Sequence, residues 1–256
     1  MKNLNPLGFL LLSVLFGISC KNATIDSTSH KPKIIFETDM GNDIDDVLAL
    51  DMLYKYLDQD KIELLAISNN KNSDYSVPFL DIMNTWYGYP NIPLGTVNNG
   101  ANSEGDSRNY AQATFEYSDD QHSALDRSLN DYESTIESTE LYRKTLAQQP
   151  DSSVTIVSVG FSTNIAKLLD TKPDQYSDLS GKELIAQKVK LLSMMAGNFK
   201  DESFAEYNVM VDIAAAKNIF EEWPTAIIVS PFEVGNAIEY PGQALKMTLL
   251  GLAHTL

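Results

Sequence analysis

Cysteine, histidine and positive charge are all scarce in this chain. Cys20 is the one cysteine among 256 residues, so an intramolecular disulfide is excluded. The 19 lysines and arginines are outnumbered by 35 aspartates and glutamates, which gives a formal charge of −16. Because no basic surface is available to neutralise phosphates, nucleic acid is excluded as a partner, and small neutral substrates or cations fit the composition better.

A long apolar run is also missing. Leu7–Ile18 is almost wholly apolar but too short to span a bilayer comfortably, and it lies between Lys2 and the small residues before Cys20. This pattern is typical of an export signal over residues 1–20. Its end resembles the lipobox of bacterial lipoproteins, with Gly17 where leucine is usual. The resemblance predicts lipidation of Cys20 and attachment to the bacterial cell envelope through a lipid anchor alone; a plain signal peptide is the alternative.

The rest of the chain has the length of one large domain, residues 33–256, joined to the signal by a polar tether over residues 21–32. In this domain short β-branched runs alternate with helical periodicity, which predicts an α/β fold with a mostly parallel sheet flanked by helices. The predicted strands are Ile34–Phe36, Ile62–Ser68, a weaker Ile92–Val97, Val154–Val159, Val189–Met194 and Thr225–Ser230. The predicted helices are one near Val47, then Pro78–Tyr87, Glu140–Gln148, Asn164–Leu169, Lys182–Gln187 and one from Asp212 to Phe220. Residues 98–137 show no sustained period, which predicts a long loop and a candidate lid.

An aspartate-rich segment lies between the first strand and the first helix. Four aspartates, at positions 39, 43, 45 and 46, stand within eight residues, and charges so close repel one another unless a cation lies among them. Strand ends that lead into helices are also where ligands bind in parallel sheets. Carboxylates suit Ca²⁺ or Mg²⁺ better than Zn²⁺, and no histidine or cysteine is nearby. The alternative is that Asp45 and Asp46 only stabilise a helix N-terminus, which leaves Asp39 unexplained.

The same segment resembles the N-terminal signature of the inosine-uridine-preferring nucleoside hydrolase family. Glu37–Gly41, followed by paired aspartates and an apolar helix, is similar to the family's Asp-Thr-Asp-Pro-Gly, one further residue, and Asp-Asp-Ala. Glu37 replaces the first aspartate and Met40 replaces the proline. Two extra residues leave Asp43 and the pair Asp45-Asp46 as alternative matches, and we favour the pair.

Three later segments resemble the family in the right order. Val159–Ala166 is similar to its Gly-Pro-Leu-Thr-Asn-Ile-Ala, and Met194–Phe199 is similar to its Met-Gly-Gly turn. Glu206–Ala216 is similar to its Glu-Phe-Asn-Ile segment before an alanine-rich helix. The resemblance covers about residues 33–240, so it implies the family's Rossmann-like nucleoside hydrolase fold.

The resemblance also implies roles for single residues. Asp39 would be the general base and a ligand of Ca²⁺, with Asp46 and the carbonyl of Thr163 as further metal ligands. The residues implied for ribose binding are Asp45, Asn72, Met195, Asn198, Glu206 and Asn208. Asn72 is chosen among three asparagines, the others being Asn69 and Asn70. Taken singly, these side chains have structural alternatives as helix caps, loop residues or core filler.

The reaction implied is hydrolysis of the N-glycosidic bond of ribonucleosides to free base and ribose, as in nucleoside salvage. A metal-bound water would give its proton to Asp39 and attack the anomeric carbon. His30, His122 and His254 lie in the tether, the polar loop and the terminus, so none is a convincing acid for the leaving base. Base preference and assembly, including a homo-oligomer, stay open.

The C-terminal residues depart from the family pattern. The family has a late calcium-binding aspartate, often after a histidine, whereas here His254 is followed by Thr255 and Leu256. We therefore expect a chain truncated relative to the family, and the alternative function is a cation- and ribose-binding lipoprotein without catalysis. A haloacid-dehalogenase-type phosphotransferase with Asp39 as nucleophile is disfavoured, because Gly41 stands where a second aspartate would be needed.

Overall fold

Parallel strands form the centre of the structure, a computed structural model that describes residues 31–41, 43–101, 109–117 and 125–238. In these ranges one sheet contains six strands: β1 Lys33–Thr38, β2 Glu63–Asn69, β3 Leu94–Gly95, β4 Val154–Ser158, β5 Val189–Met195 and β6 Ala226–Ser230. Neighbouring strands are all parallel, in the order β3-β2-β1-β4-β5-β6. The predicted α/β fold with a parallel sheet is confirmed.

Helices connect the strands and cover both faces of the sheet. Their bounds are α1 Asp45–Asp58, α2 Ser76–Trp86, α3 Tyr110–Phe115, α4 Ser138–Ala147, α5 Thr163–Leu169, α6 Gly181–Lys188, α7 Tyr207–Val211, α8 Ile213–Glu222 and α9 Phe232–Gly235. Helices α1, α2 and α3 contribute to the apolar cluster on one face, which we call the α1 face. Helices α4, α5, α6 and α8 contribute to the cluster on the other, the α5 face.

Each face has its own apolar core. On the α1 face, Phe36 of β1 lies in one cluster with Leu50 of α1 and Leu80 of α2. On the α5 face, Ile156 of β4 lies in a cluster with Ile165 of α5. All five side chains are fully buried, and burial of such a side chain contributes about 1.5–3 kcal/mol. The two cores fix the strand ends from which the functional side chains project.

The order of the strands creates a crevice beside β1. From β1 the chain builds outwards to β2 and β3, and it then returns to add β4 on the other side of β1. The connections after β1 and after β4 therefore leave in opposite directions, and ligands bind at such a switch point in sheets of this kind. Asp39 follows β1 directly at this point.

The predicted elements are found close to their predicted bounds, except that the weaker strand predicted over Ile92–Val97 is limited to Leu94–Gly95. In its described residues, the polar segment 98–137 is more ordered than predicted. It contains α3 and a stretch anchored on the buried carboxylate of Asp81. That carboxylate accepts hydrogen bonds from the main-chain N–H groups of Ser128 and Leu129, at 3.1 and 3.0 Å, and from the Tyr132 hydroxyl at 2.8 Å. A single buried acid organises this stretch, and periodicity does not report such an anchor.

Several predictions fall outside the described residues. These concern the signal peptide with Cys20, nearly all of the tether, His30, His122 and the C-terminal residues 239–256. Among the described helices, none has the length and apolar character needed to cross a bilayer.

Candidate active site

Residues from three strand ends meet at the crevice between β1 and β4. Asp39 follows β1, Asn70 follows β2, and Gly160 lies two residues beyond β4. The main-chain N–H of Asn70 donates to the Thr38 carbonyl at 2.9 Å. Backbone pairing between β1 and β2 therefore continues to the strand ends and fixes Asn70 beside Asp39.

Gly160 allows this close approach. A Cβ atom at this position would lie 2.5 Å from the main-chain nitrogen of Asp39. It would also lie 2.7 Å from Asp39 Oδ1 and 2.8 Å from Asn70 Oδ1. Carbon atoms do not approach other heavy atoms so closely without strain. Gly160 is thus required here by lack of space, and any larger residue would push Asp39 and Asn70 out of place.

Asp39 and Asp46 form a buried pair of acids. They are 5% and 6% exposed, and Asp46 is the second residue of α1. Burial, followed by the charges of Asp39 and Asp45, holds the pKa of Asp46 well above its ordinary range, while the Thr38 hydroxyl opposes the rise. Two carboxylates so close ionise together only when positive charge joins them. The pair therefore favours a bound cation.

The structure places the acids of the two alternative registers differently. Asp46 is buried beside Asp39, whereas Asp43 and Asp45 are exposed. Asp45 is the first residue of α1, where its charge interacts favourably with the helix N-terminus. The pair favoured from the sequence thus supplies one acid within the site and one at its rim.

Two residues outside the acidic motif hold the loop that carries it. The Tyr110 hydroxyl of α3 accepts from the Gly41 N–H at 2.9 Å and donates to the Asp43 carbonyl at 3.1 Å. Ser76 Oγ of α2 donates to the Met40 carbonyl at 2.6 Å. Gly41 has a φ of 125°, a conformation that glycine adopts readily. Sequence reasoning missed both supports, and Tyr110 lies in the segment predicted to be a loop.

Lys71 brings a positive charge to the same loop. Its side chain is 2% exposed, and its Nζ lies 3.6 Å from the position that a Cβ on Gly41 would occupy. Its carbonyl accepts from Asn69 Nδ2 at 2.6 Å, which fixes the start of the lysine side chain. Lys71 thus places an ammonium beside Gly41, in the loop that carries the carboxylates of residues 39, 45 and 46.

Glu37 lies on β1 two residues before Asp39 and is fully buried. Burial raises the pKa of its carboxyl to about 8, and the neighbouring polar groups of Ser158 and Tyr142 oppose the rise. In the described part of the chain neither carboxyl oxygen meets hydrogen-bond geometry, so burial dominates. Glu37 therefore carries a proton near neutral pH, and it adds no negative charge beneath the acid pair.

Among the asparagines after β2, the structure brings Asn70 to Asp39. Asn70 is fully buried, and its Nδ2 donates to the Phe161 carbonyl at 2.8 Å. Asn72, the residue chosen from the sequence, is exposed, and its N–H donates to the Ala101 carbonyl at 3.0 Å. The spacing of adjacent asparagines gave no signal for this choice, because it depends on how the chain turns after β2.

Thr163 is the first residue of α5 and is 6% exposed. Its hydroxyl donates to Asp212 Oδ2 at 2.6 Å. The other carboxylate oxygen of Asp212 accepts from the Ala215 N–H at 3.1 Å, so the predicted cap of the alanine-rich helix is confirmed. The Thr163 hydroxyl is thereby used to join α5 to α8, which leaves its main chain as the group available to a cation.

Glu206 and Asn208 connect the loops after β4 and β5. Glu206 accepts from the N–H groups of Gly197, at 2.9 Å, and of Asn208, at 2.8 Å. Asn208 Nδ2 donates to the Val159 carbonyl at 3.0 Å and lies 3.2 Å from Met195 Sδ. The structure therefore groups Met195, Glu206 and Asn208 beside the strand end that carries Gly160.

Asn198 lies further out in the same loop and is half-buried. Its Oδ1 accepts from the main-chain N–H groups of Lys200 and Asp201, at 3.0 and 2.9 Å. These hydrogen bonds shape the turn after β5 and leave the Asn198 amide nitrogen as the donor available to a ligand.

The donor set at the crevice fits a hard cation. Within the described ranges, no three side chains of aspartate, glutamate, histidine or cysteine come together as a metal cluster. The buried carboxyls of Asp39 and Asp46 are joined instead by Asn70 Oδ1, a buried oxygen that has no hydrogen-bond partner among the described groups. Ca²⁺ and Mg²⁺ prefer such oxygen ligands and accept main-chain carbonyls as well.

Comparison with known proteins identifies a related family and related folds. A family model described as inosine-uridine preferring nucleoside hydrolase matches residues 34–251. No curated protein matches the chain. Among solved structures, a plant nucleoside hydrolase is similar with 19% identity and a TM-score of 0.61, covering 85% of this chain and 65% of the other.

Two further solved structures share the fold. The purine-preferring ribonucleoside hydrolase from Gardnerella vaginalis is 16% identical with a TM-score of 0.54, and the match covers 78% of this chain and 60% of that one. The type III effector protein XopQ, solved with adenosine diphosphate ribose, is 15% identical with a TM-score of 0.56, covering 79% and 59%. The chain thus spans 59–65% of the lengths of these three proteins.

Proposed function

Because the chain belongs to the inosine-uridine preferring nucleoside hydrolase family, we propose that it hydrolyses the N-glycosidic bond of ribonucleosides to free base and ribose. One observation carries the proposal for this chain: the buried acids Asp39 and Asp46 meet at the switch point of the sheet. Their mutual repulsion provides both a place for a cation and a carboxylate that can accept a proton.

Asp39 is proposed as the general base. It is held at the crevice by its contact with Gly160, and a carboxylate fixed in this way can take the proton from an attacking water. Asp46 and the main-chain carbonyl of Thr163 are proposed with Asp39 as ligands of Ca²⁺. When bound, the ion would lower the pKa of a water molecule and hold ribose hydroxyls.

The ribose is proposed to bind between the acidic loop and the loops after β4 and β5. Asp45 lies at the rim, and Asn70 takes the role assigned to Asn72 from the sequence, because Asn70 is the asparagine at Asp39. The remaining contacts are proposed to come from Met195, Glu206 and Asn208, which the structure groups together, and from Asn198 further out in the same loop. Their main-chain hydrogen bonds fix the loops in advance, so the sugar is oriented at little cost in entropy.

The proposal includes the cellular location predicted from the sequence. Lipidation of Cys20 would place the domain at the bacterial cell envelope, where free nucleosides are the substrates of salvage. A cation- and ribose-binding lipoprotein without catalysis is the second candidate. It rests on the sequence, where His254 is followed by Thr255 and not by the late aspartate that the family resemblance implies.

A base-release assay distinguishes the two candidates. The chain is incubated with inosine or uridine, in Ca²⁺ or in a chelator, and free base is measured for the parent, Asp39→Asn and Asp60→Asn. Asp60 is an exposed acid with a φ of 58°, which asparagine also adopts, so it is a matched control. We expect Ca²⁺-dependent release from the parent and the control, and a loss of about 10²–10⁴-fold in Asp39→Asn.

Two results of this assay would contradict the proposed function. Base release from Asp39→Asn at the parent rate would exclude Asp39 as the general base. Ribose binding without release of base from the parent chain would favour the second candidate.

A further inference from the structure

The loop between β1 and α1 has few constraints of its own. It is two residues longer than the family motif that it resembles, and Met40 stands where the motif has proline, so the ring that would fix one backbone angle is missing. Gly41 follows with a φ of 125°, a conformation that residues with a side chain rarely adopt. The positions of Asp39 and Asp46, at the two ends of this loop, therefore depend on support from outside it.

One hydroxyl on α3 supplies such support at two points of the loop. The Tyr110 hydroxyl accepts from the Gly41 N–H at 2.9 Å and donates to the Asp43 carbonyl at 3.1 Å. It also lies 3.2 Å from Met40 Sδ. Burial, followed by the charge of Asp46, raises the pKa of this hydroxyl, so it keeps the proton that it donates.

Tyr110 is held in place by the packing of α3. Its ring lies edge-to-face against Phe79 of α2, with ring centroids 5.3 Å apart and planes at 70°. The next residue, Ala111, is fully buried, and its Cβ lies 3.4 Å from the position that a Cβ on Gly41 would occupy. Helix α3 therefore packs directly against the loop and presents the hydroxyl to it in a fixed position.

We propose that Tyr110 is a positioning residue that sets the affinity of the acid pair for a divalent cation. This inference rests on the cation site of the proposed function. Asp39 precedes and Asp46 follows the two backbone groups that the hydroxyl binds, so the hydroxyl fixes the spacing of the two carboxylates before a cation arrives. A cation then binds a loop that is already ordered, which lowers the entropic cost of binding.

Calorimetric titration of the full chain with Ca²⁺ tests this proposal. Tyr110→Phe removes the hydroxyl and keeps the ring on Phe79. Tyr132→Phe is the matched control, because Tyr132 is also half-buried and its hydroxyl donates to Asp81, at 2.8 Å, and not to the acidic loop. We expect the dissociation constant for Ca²⁺ to rise by about 10–100-fold in Tyr110→Phe, the usual effect of losing a group that orients metal ligands, and to keep its parent value in Tyr132→Phe.

Two further measurements separate positioning from a structural or a catalytic role. Urea unfolding in a chelator should show similar small losses of stability in both tyrosine variants, because each loses one hydrogen-bonding hydroxyl. At saturating Ca²⁺, the kcat for base release from inosine should be the same in Tyr110→Phe as in the parent, because the acid pair is then filled in both.

Four results would overturn the proposal. Equal Ca²⁺ affinity in the parent and in Tyr110→Phe would do so and would leave the proposed hydrolysis standing. An equal loss of affinity in Tyr132→Phe would mean that order in the whole segment is responsible. A low kcat in Tyr110→Phe at saturating Ca²⁺ would assign Tyr110 to catalysis instead. A parent chain that binds no Ca²⁺ would exclude the cation site itself, and this role of Tyr110 with it.

Discussion

Two buried charge clusters in this molecule are compensated in opposite ways. Arg143 of α4 is 2% exposed, and its guanidinium forms a two-point contact with Asp174, at 2.7 and 3.0 Å. Further donors reach Thr171 and the carbonyls of Ser177 and Leu179. The hydrogen bond from Arg143 lowers the pKa of the Asp174 carboxyl. The chain itself supplies both the carboxylate and the hydrogen-bond acceptors for the guanidinium of Arg143.

The acid pair at the crevice, Asp39 and Asp46, has the opposite pKa shift. Burial and the charge of Asp39 raise the pKa of Asp46, although the ammonium of Lys71 lies near Gly41 in the same loop. A cluster that the chain completes is structural, whereas one left with excess charge is suited to a ligand. The opposite directions of the two pKa shifts make this difference measurable.

The largest effect is expected from Gly160→Ala, which disturbs the acid cluster without changing its charge. The added carbon would lie 2.5 Å from a main-chain nitrogen, so strands β1 and β4 must separate. We expect the free energy of unfolding to fall by about 2–3 kcal/mol and base release to fall by about 100-fold. Urea unfolding and the inosine assay measure the two losses. Gly235→Ala is the control, because a Cβ there meets nothing within 4 Å; equal stability of the two variants would contradict the role of Gly160.

A smaller loss is expected from Asp174→Asn, which breaks the completed cluster. Arg143 stays buried but loses its charged partner, whose side chain is 31% exposed and so open to water. We expect a loss of about 2 kcal/mol in the free energy of unfolding and little change in the rate of base release. Urea unfolding at neutral pH checks the first, and the inosine assay checks the second. A loss of Ca²⁺ dependence in this variant would mean that the clusters are not independent.

The pH dependence of stability sharpens the comparison further. Glu37 has a folded-state pKa of about 8 against an ordinary value of 4.5, so between these values the folded chain holds a proton that the unfolded chain releases. Stability in a chelator should therefore fall as the pH rises through this window, by up to about 1.4 kcal/mol per pH unit for this group. Urea unfolding of Glu37→Gln should give a flatter profile. Glu63→Gln, exposed on β2, is the control; a parent-like slope in Glu37→Gln would count against a buried neutral acid.

The smallest change is expected from Asp46→Asn, and its sign is opposite to that of Asp174→Asn. The substitution removes a carboxyl whose ionisation is opposed by burial and by Asp39. In a chelator at neutral pH we expect the free energy of unfolding to rise by about 1 kcal/mol. A decrease of similar size in thermal or urea unfolding would show that the acid pair is already compensated within the chain.

Part of this site could be predicted from the sequence, because some of its signals are local. The strand before Asp39 and the helix after it follow from hydrophobic periodicity, and the motif places Asp46 at the start of that helix. The closeness of Asp39 to Gly160 was not readable, since it depends on the pairing of β1 with β4 across more than a hundred residues. The order of the motifs predicted the segment that contains Gly160, but not the contact of Gly160 with Asp39.

The supports of the site could not be predicted. Tyr110 lies in a polar stretch without periodicity and is ordered by contacts with the acidic loop. The choice of Asn70 over Asn72 depends on the turn after β2, and adjacent asparagines have the same propensities. Such features arise from tertiary contacts, which periodicity does not record.

The most direct test of a cation site at the acid pair is the gain in stability on adding Ca²⁺ in excess of a chelator. A ligand at 100 times its dissociation constant adds about 2.7 kcal/mol to the free energy of unfolding. We predict a gain of this order for the parent chain and for Asp174→Asn, and none for Asp46→Asn. Equal stability of the parent chain with and without Ca²⁺, or a full gain in Asp46→Asn, would contradict a cation site built on Asp39 and Asp46.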